Sequence, residues 1–129
     1  MKFENLLNNE FKEKIKKDKE IIAVLIFGSY VNNRAYSRDI DVCLVLDKKY
    51  SNYEMTGKAI KYASLLPSKF DISIFQQLPV YIQKSVLRGG KIIICKNEDK
   101  LYEIAYSTIK EFESFKYKYE SYLENALYK

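Results

Sequence analysis

Seven consecutive apolar residues, Ile21 to Phe27, interrupt an otherwise mixed N-terminal region and stop at Gly28. A short unbroken run rich in β-branched residues predicts a strand covered on both faces. Before it, Phe3, Leu6, Leu7, Phe11 and Ile15 recur at helical spacing among lysines and glutamates, predicting an amphipathic helix over 3–19. After it, residues 30–38 are polar and read as a loop or a short helix. Ile40 to Leu46 predicts a second strand, and Asp47-Lys48-Lys49 leads out of it. Residues 53–66, with Met55, Ala59, Ile60, Tyr62 and Ala63, suit a helix that Pro67 helps to stop. Phe70 to Phe75 alternates and predicts a third strand. Pro79 reads as a first-turn proline of a helix reaching about Arg88, ended by Gly89-Gly90, and Lys91 to Cys95 is a fourth strand.

The tail predicts one long helix over about 97–127, with Asn97 as cap and Glu98 and Asp99 at its positive end. Leu101, Ala105, Thr108, Phe112, Phe115, Tyr119, Tyr122 and Ala126 recur in alternating steps of four and three, a heptad-like stripe. The stripe suits packing along the chain's own sheet. A helix this long also outruns four strands, so its aromatic end is a candidate contact with a second chain in a homo- or hetero-oligomer. The element order predicts an α+β (α/β-like) fold: a small mixed sheet of about four strands flanked by helices. With no internal repeat, the 129 residues read as a single domain, 1–129.

Composition narrows the chemistry. The chain is 47% hydrophobic and 30% charged, enough for a packed core. No apolar run approaches the ~18–20 residues of a membrane span, and the charged start MKFENLLNNE is unlike a signal peptide. Cys43 and Cys95 sit in apolar runs and read as buried thiols of a cytoplasmic, reducing environment. The absence of histidine removes Ser-His-Asp and Cys-His catalysis and most zinc sites. A formal charge of +5 favours anionic partners, although on composition alone a solvated lysine-rich surface is the better account, and sequence-specific DNA binding is disfavoured.

The stretch GSYVNNRAYSRDID, residues 28–41, carries the candidate chemistry. Side chains two apart in a strand share a face, so Asp39 and Asp41 lean together, ~6–7 Å apart at the backbone. Two such carboxylates repel, and one is driven above its ordinary pKa unless a cation intervenes. Magnesium suits an oxygen-only site. Asp71, at the start of the third strand, reaches the same edge if strands two and three pair. Three carboxylates can hold two magnesium ions for in-line phosphoryl transfer, and one can take the proton of an attacking hydroxyl. Gly28 lets a ligand approach the backbone, and Ser29 offers a hydroxyl and an N–H to phosphate. Each feature alone is ordinary turn chemistry; their conjunction is demanding. Arg34 and Arg38 face water or touch phosphate, Arg38 being the candidate ligand. Lys84 and Arg88 share a helical face that suits a triphosphate or a partner.

Phe27-Gly28-Ser29, nine residues, then Asp39-Ile40-Asp41-Val42 resembles the signature of the DNA polymerase beta-type nucleotidyltransferases, most closely the minimal nucleotidyltransferases, or MNT domains. The resemblance covers about residues 20–96. It implies that fold, a Gly28-Ser29 turn holding the triphosphate of ATP, and two magnesium ions held by Asp39, Asp41 and Asp71, with Asp71 as candidate base. Asn33 stands near where the family often has glycine, and asparagine tolerates left-handed backbone. The resemblance further implies an antitoxin paired with a small helical HEPN-type protein, transferring AMP to a partner hydroxyl. Neutralisation by contact alone, or transfer to nucleic acid or a small molecule, are the alternatives.

Overall fold

A computed structural model describes residues 4–28, 31 and 39–128. Ser29, Asn33, Arg34 and Arg38 lie outside the described residues, as does Phe3. Four strands, β1 (Ile21–Phe27), β2 (Ile40–Leu46), β3 (Phe70–Ile74) and β4 (Lys91–Cys95), form one sheet in the order β3-β2-β1-β4. β1 runs antiparallel to both β2 and β4, whereas β2 and β3 are parallel. The expected mixed sheet is therefore observed. Four α-helices accompany it among the described residues: α1 (Asn9–Lys17), α2 (Asn52–Ala63), α3 (Val80–Gly89) and α4 (Glu98–Tyr128). The parallel β2–β3 pair requires a crossover, and α2 supplies it.

The two faces of the sheet bury different sets. Val24, Ile26, Val42 and Leu44 pack with Phe11 and Ile15 of α1 and Met55 and Tyr62 of α2. Leu25, Cys43 and Val45 point the other way, against Phe75, Val86 of α3 and Leu101 of α4. This double coverage is why β1 and β2 read as continuous apolar runs rather than alternating ones.

Local chemistry sets the boundaries. The first helix is shorter than the periodicity suggests: Asn8 accepts from Phe11 N–H at 2.8 Å and caps α1, while Glu4–Leu6 form a separate 3-10 turn. A side-chain cap satisfies donors that would otherwise be orphaned, so an asparagine inside an apolar period starts a helix rather than continuing one. Ser51 and Glu54 form a reciprocal capping box at the start of α2. β3 ends one residue early, because Phe75 opens a 3-10 turn. There Gln76 imitates a strand, donating to Leu46 O at 2.9 Å and accepting from Leu46 N–H at 3.1 Å. Pro79 precedes α3 rather than opening it, and Gly89 is its last residue. Cys95 is exposed on the edge strand, contrary to the buried thiol expected; Cys43 is buried, and burial pushes its thiol up, leaving it unreactive.

A polar knot ties α1, α2 and β4 together. Asp18, just past α1, accepts from Lys58 Nζ at 2.7 Å, Tyr62 Oη at 2.9 Å and Glu20 N–H at 3.0 Å. Lys96 Nζ donates to Ile15 O at 2.7 Å and Asp18 O at 2.6 Å, which satisfies the carbonyl end of α1. Burial alone would raise the Asp18 carboxyl; the Lys58 and Tyr62 hydrogen bonds and the Glu20 N–H hold it below its ordinary value. We expect Tyr62→Phe to cost about 1–2 kcal/mol in urea unfolding, because a partly buried carboxylate loses a donor without loss of packing volume. A change of under about 0.3 kcal/mol would show that water replaces the hydroxyl.

Candidate active site

The site forms at one end of the sheet, where β1 finishes and β2 and β3 begin. Phe27 pairs with Asp41, and Asp41 pairs with Asp71 across the parallel ladder. Paired residues on adjacent strands share a face. Asp41 therefore continues the Cys43–Val45 parity, on the side that α3 covers, and Asp71 stands beside it. Asp39 lies two residues before Asp41, immediately ahead of β2, and is exposed; Asp71 is exposed and Asp41 half-buried.

Gly28 completes the arrangement. Its φ of 84° lies in the left-handed region, where a side chain is strained. An ideal Cβ at this position would collide with Asp41 Oδ2. The glycine is thus needed twice, for the turn out of β1 and for the space that the Asp41 carboxylate occupies. Gly90, just past α3, has a similar steric role at the same end of the sheet: a Cβ there would strike Val86 O and lie 3.3 Å from Ile26 O. Sequence reasoning treated Gly90 only as a helix stop. The signal for close approach was the second glycine, since one suffices to end a helix.

Burial, then the charges of Asp71 and Asp39, raise the Asp41 carboxyl above its ordinary value. This is the repulsion expected of carboxylates on one face. Among the described residues, no three His, Cys, Asp or Glu side chains converge into a ready metal cage. The aspartates form a coupled row rather than a closed cage. Their donors are hard oxygens and their repulsion is what a divalent cation relieves, so the residues fit magnesium in donor type and charge. A cleft of about 440 Å³ lined by Asp47, Phe75, Gln83, Lys100 and Thr108 lies at the opposite end of β2 and takes no part in this site.

A four-stranded mixed sheet, helical on both faces and acidic at one end, is the architecture of nucleotidyl-transfer domains. The chain belongs to the family described as "Polymerase beta, Nucleotidyltransferase", whose model matches residues 9–99. It is 36% identical over 75 residues to "Putative protein adenylyltransferase MJ1547" of Methanocaldococcus jannaschii, a match spanning 57% of this chain and 56% of that protein. Among solved structures, it resembles a toxin–antitoxin with AMP-PNP at TM-score 0.68 and 21% identity, over 94% of this chain and 99% of that one. It also resembles a complex of tri-AMPylated Shewanella oneidensis HEPN toxin with MNT antitoxin at TM-score 0.63 and 20% identity, over 92% and 97%. At such identities the structural likeness establishes the fold.

Two outcomes test the site as a physical object. Gly28→Ala is expected to destabilise the protein by about 1–3 kcal/mol, read as a lower urea midpoint, because it combines left-handed strain with a clash. Asp41→Asn is expected to act the other way. With its pKa raised, Asp41 holds a proton more tightly folded than unfolded. Its contribution is favourable at low pH and is lost as pH rises from the ordinary carboxylate range through the raised value. The asparagine variant should therefore be the more stable at pH 7, by less than about 1 kcal/mol given the partial exposure, and the gap should close below about pH 4. A gap that widens on acidification would contradict the repulsion.

Proposed function

We propose that this chain is one catalytic domain that transfers AMP from ATP to a hydroxyl of a protein partner, as the antitoxin of a HEPN-type pair. The observation that carries the reading is the Asp41 carboxylate, seated against Gly28 and charge-coupled to Asp71 and Asp39. The name of the Methanocaldococcus jannaschii relative and the AMPylated Shewanella oneidensis complex support the choice of adenylyl group and of a HEPN partner.

In this mechanism the partner hydroxyl attacks the α-phosphorus of ATP in line. The bond from that phosphorus to the oxygen bridging to the β-phosphate breaks, and pyrophosphate leaves. Asp71, exposed at the edge strand, accepts the hydroxyl proton, which restores charge balance. Gly28 and Ser29 hold the triphosphate through the turn, and Arg38 contacts phosphate. Asp39, Asp41 and Asp71 would hold magnesium, which when bound offsets phosphate charge and supplies the electrostatic stabilisation on which such transfers depend. Asp41, the most buried of the three, orients the row, because its carboxylate lies close against Gly28 and its backbone pairs with Asp71 across the parallel ladder.

The test is transfer of label from α-labelled ATP, with magnesium, to the cognate HEPN-type protein. Wild type should label a partner hydroxyl, and Asp39→Ala combined with Asp41→Ala should lower the rate by at least about 100-fold. Labelling that survives the double substitution would end this mechanism. Neutralisation of the toxin by the unlabelling double variant would instead favour antitoxin action by contact.

A further inference from the structure

The distal half of α4 has no role in the transfer chemistry, and it lies beyond residue 99, where the family match ends. α4 is 31 residues long, about 46 Å. Its first turns are anchored: Leu101 and Thr108 are buried, and Lys84 Nζ sits 4.3 Å over the Phe112 ring. Beyond Phe112 the stripe continues without cover, with Phe115 46%, Tyr119 54% and Tyr122 68% exposed. Phe115 and Tyr119 stack on each other, centroids 6.3 Å apart. A helical segment of this length is marginal in water on its own, so an apolar stripe along it is expected to be covered.

The charges beside the stripe say by what. With Phe112, Tyr119 and Ala126 at heptad position a and Phe115 and Tyr122 at d, Lys116 falls at e and Lys118 at g, flanking the stripe on both sides. Glu113 and Glu120 fall at b and Glu124 at f, on the outer face. Among the described residues neither lysine is held in an ion pair; in α4 that occurs only between Lys100 and Glu103, at 3.5 Å. At the root of the segment, a cleft of about 310 Å³ between α3 and α4 joins apolar Leu87 and Ile109 to Lys84 and Arg88. From Phe112 onward the surface is therefore apolar along its centre, and the charged residues at its e and g rim are Lys116 and Lys118, with Glu111 at g just before the segment and Leu123 and Asn125 completing the rim.

We infer that residues 112–127 of α4 are a docking surface for a helix of the partner protein whose own apolar stripe is flanked by carboxylates. An antiparallel second copy of this chain would set lysine rim against lysine rim, which disfavours self-pairing. The inference deepens the antitoxin reading, on which it rests for the partner's being helical.

The experiment titrates the full chain with two synthetic helical peptides of about three heptads, each with leucine at a and d. One carries glutamate at e and g, the other lysine. The glutamate peptide should bind about tenfold or more tightly than the lysine peptide, and less tightly as salt rises. Phe115→Ser with Tyr119→Ser and Tyr122→Ser should abolish binding. Lys116→Glu with Lys118→Glu, which keeps the stripe, should reverse the peptide preference. Equal binding of both peptides, unchanged binding by the triple variant, or sedimentation of the chain alone as a dimer that the triple variant breaks would each overturn the proposal. Thermal stabilisation by magnesium and ATP reads the site separately. Failure of the docking inference leaves that stabilisation in place, and failure of the transfer reading leaves peptide binding in place.

Discussion

The antiparallel pairing of β1 with β2 places a left-handed glycine, Gly28, against the carboxylate of Asp41, and the acidic end of the sheet is organised around that contact. Register follows from burial. Sliding β2 by one residue would turn Val42 and Leu44 away from α1 and α2 and move Asp41 into their core. The same hydrophobic alternation that holds the sheet together thus aims Asp41 toward the α3 side. Asp71 arrives there by an independent route: the α2 crossover makes β3 parallel to β2, so both strands start at the same end. Two strands with acidic starts can be brought side by side only if they run in the same direction.

Much of this was legible in the chain because the relevant signals are local and periodic. The Ile21–Phe27 run, the polar break after Gly28 and the Asp39-Ile40-Asp41 spacing each report a period or an interruption that backbone geometry must respect. Strand order was less legible. Nothing in Phe70–Ile74 or Lys91–Cys95 says which of them sits beside β2, since pairing depends on the length and hand of crossovers rather than on the strands themselves. Boundaries went astray where a side chain competed with the period. Asn8 capped a helix that the apolar spacing carried further, and Gln76 replaced strand backbone with its own amide. Cys95 was misjudged because an edge strand keeps the β-branched composition of a central one while losing cover on one side.

The two polar clusters, at opposite ends of β1, show how differently one kind of side chain is used. Asp18 is surrounded by donors, and its carboxyl lies below the ordinary value despite burial. Asp41 is half-buried beside Asp71 and Asp39, and burial first, then their charges, raise its carboxyl above the ordinary value. The first arrangement closes a helix end and stabilises; the second sets like charge beside like charge in a folded protein. A fold tolerates such a charge where stability is supplied elsewhere, and here both faces of the sheet and the Asp18 knot supply it.

That asymmetry bears on how the fold divides its surface. The acidic row lies at the sheet end where β1 finishes and β2 begins, and its hard oxygen donors suit a divalent cation. The distal part of α4 carries an exposed apolar stripe, and it extends from a root held by Leu101, Thr108 and the Lys84–Phe112 contact. Because the segment beyond Phe112 makes little use of the body for its own stability, covering it orders the helix without disturbing the register that positions Asp41. On the proposed reading, partner recognition and nucleotide chemistry rest on elements whose energetics are separable, so that a change of cover on the helix leaves the β1–β2 pairing that seats Asp41 against Gly28 as it is.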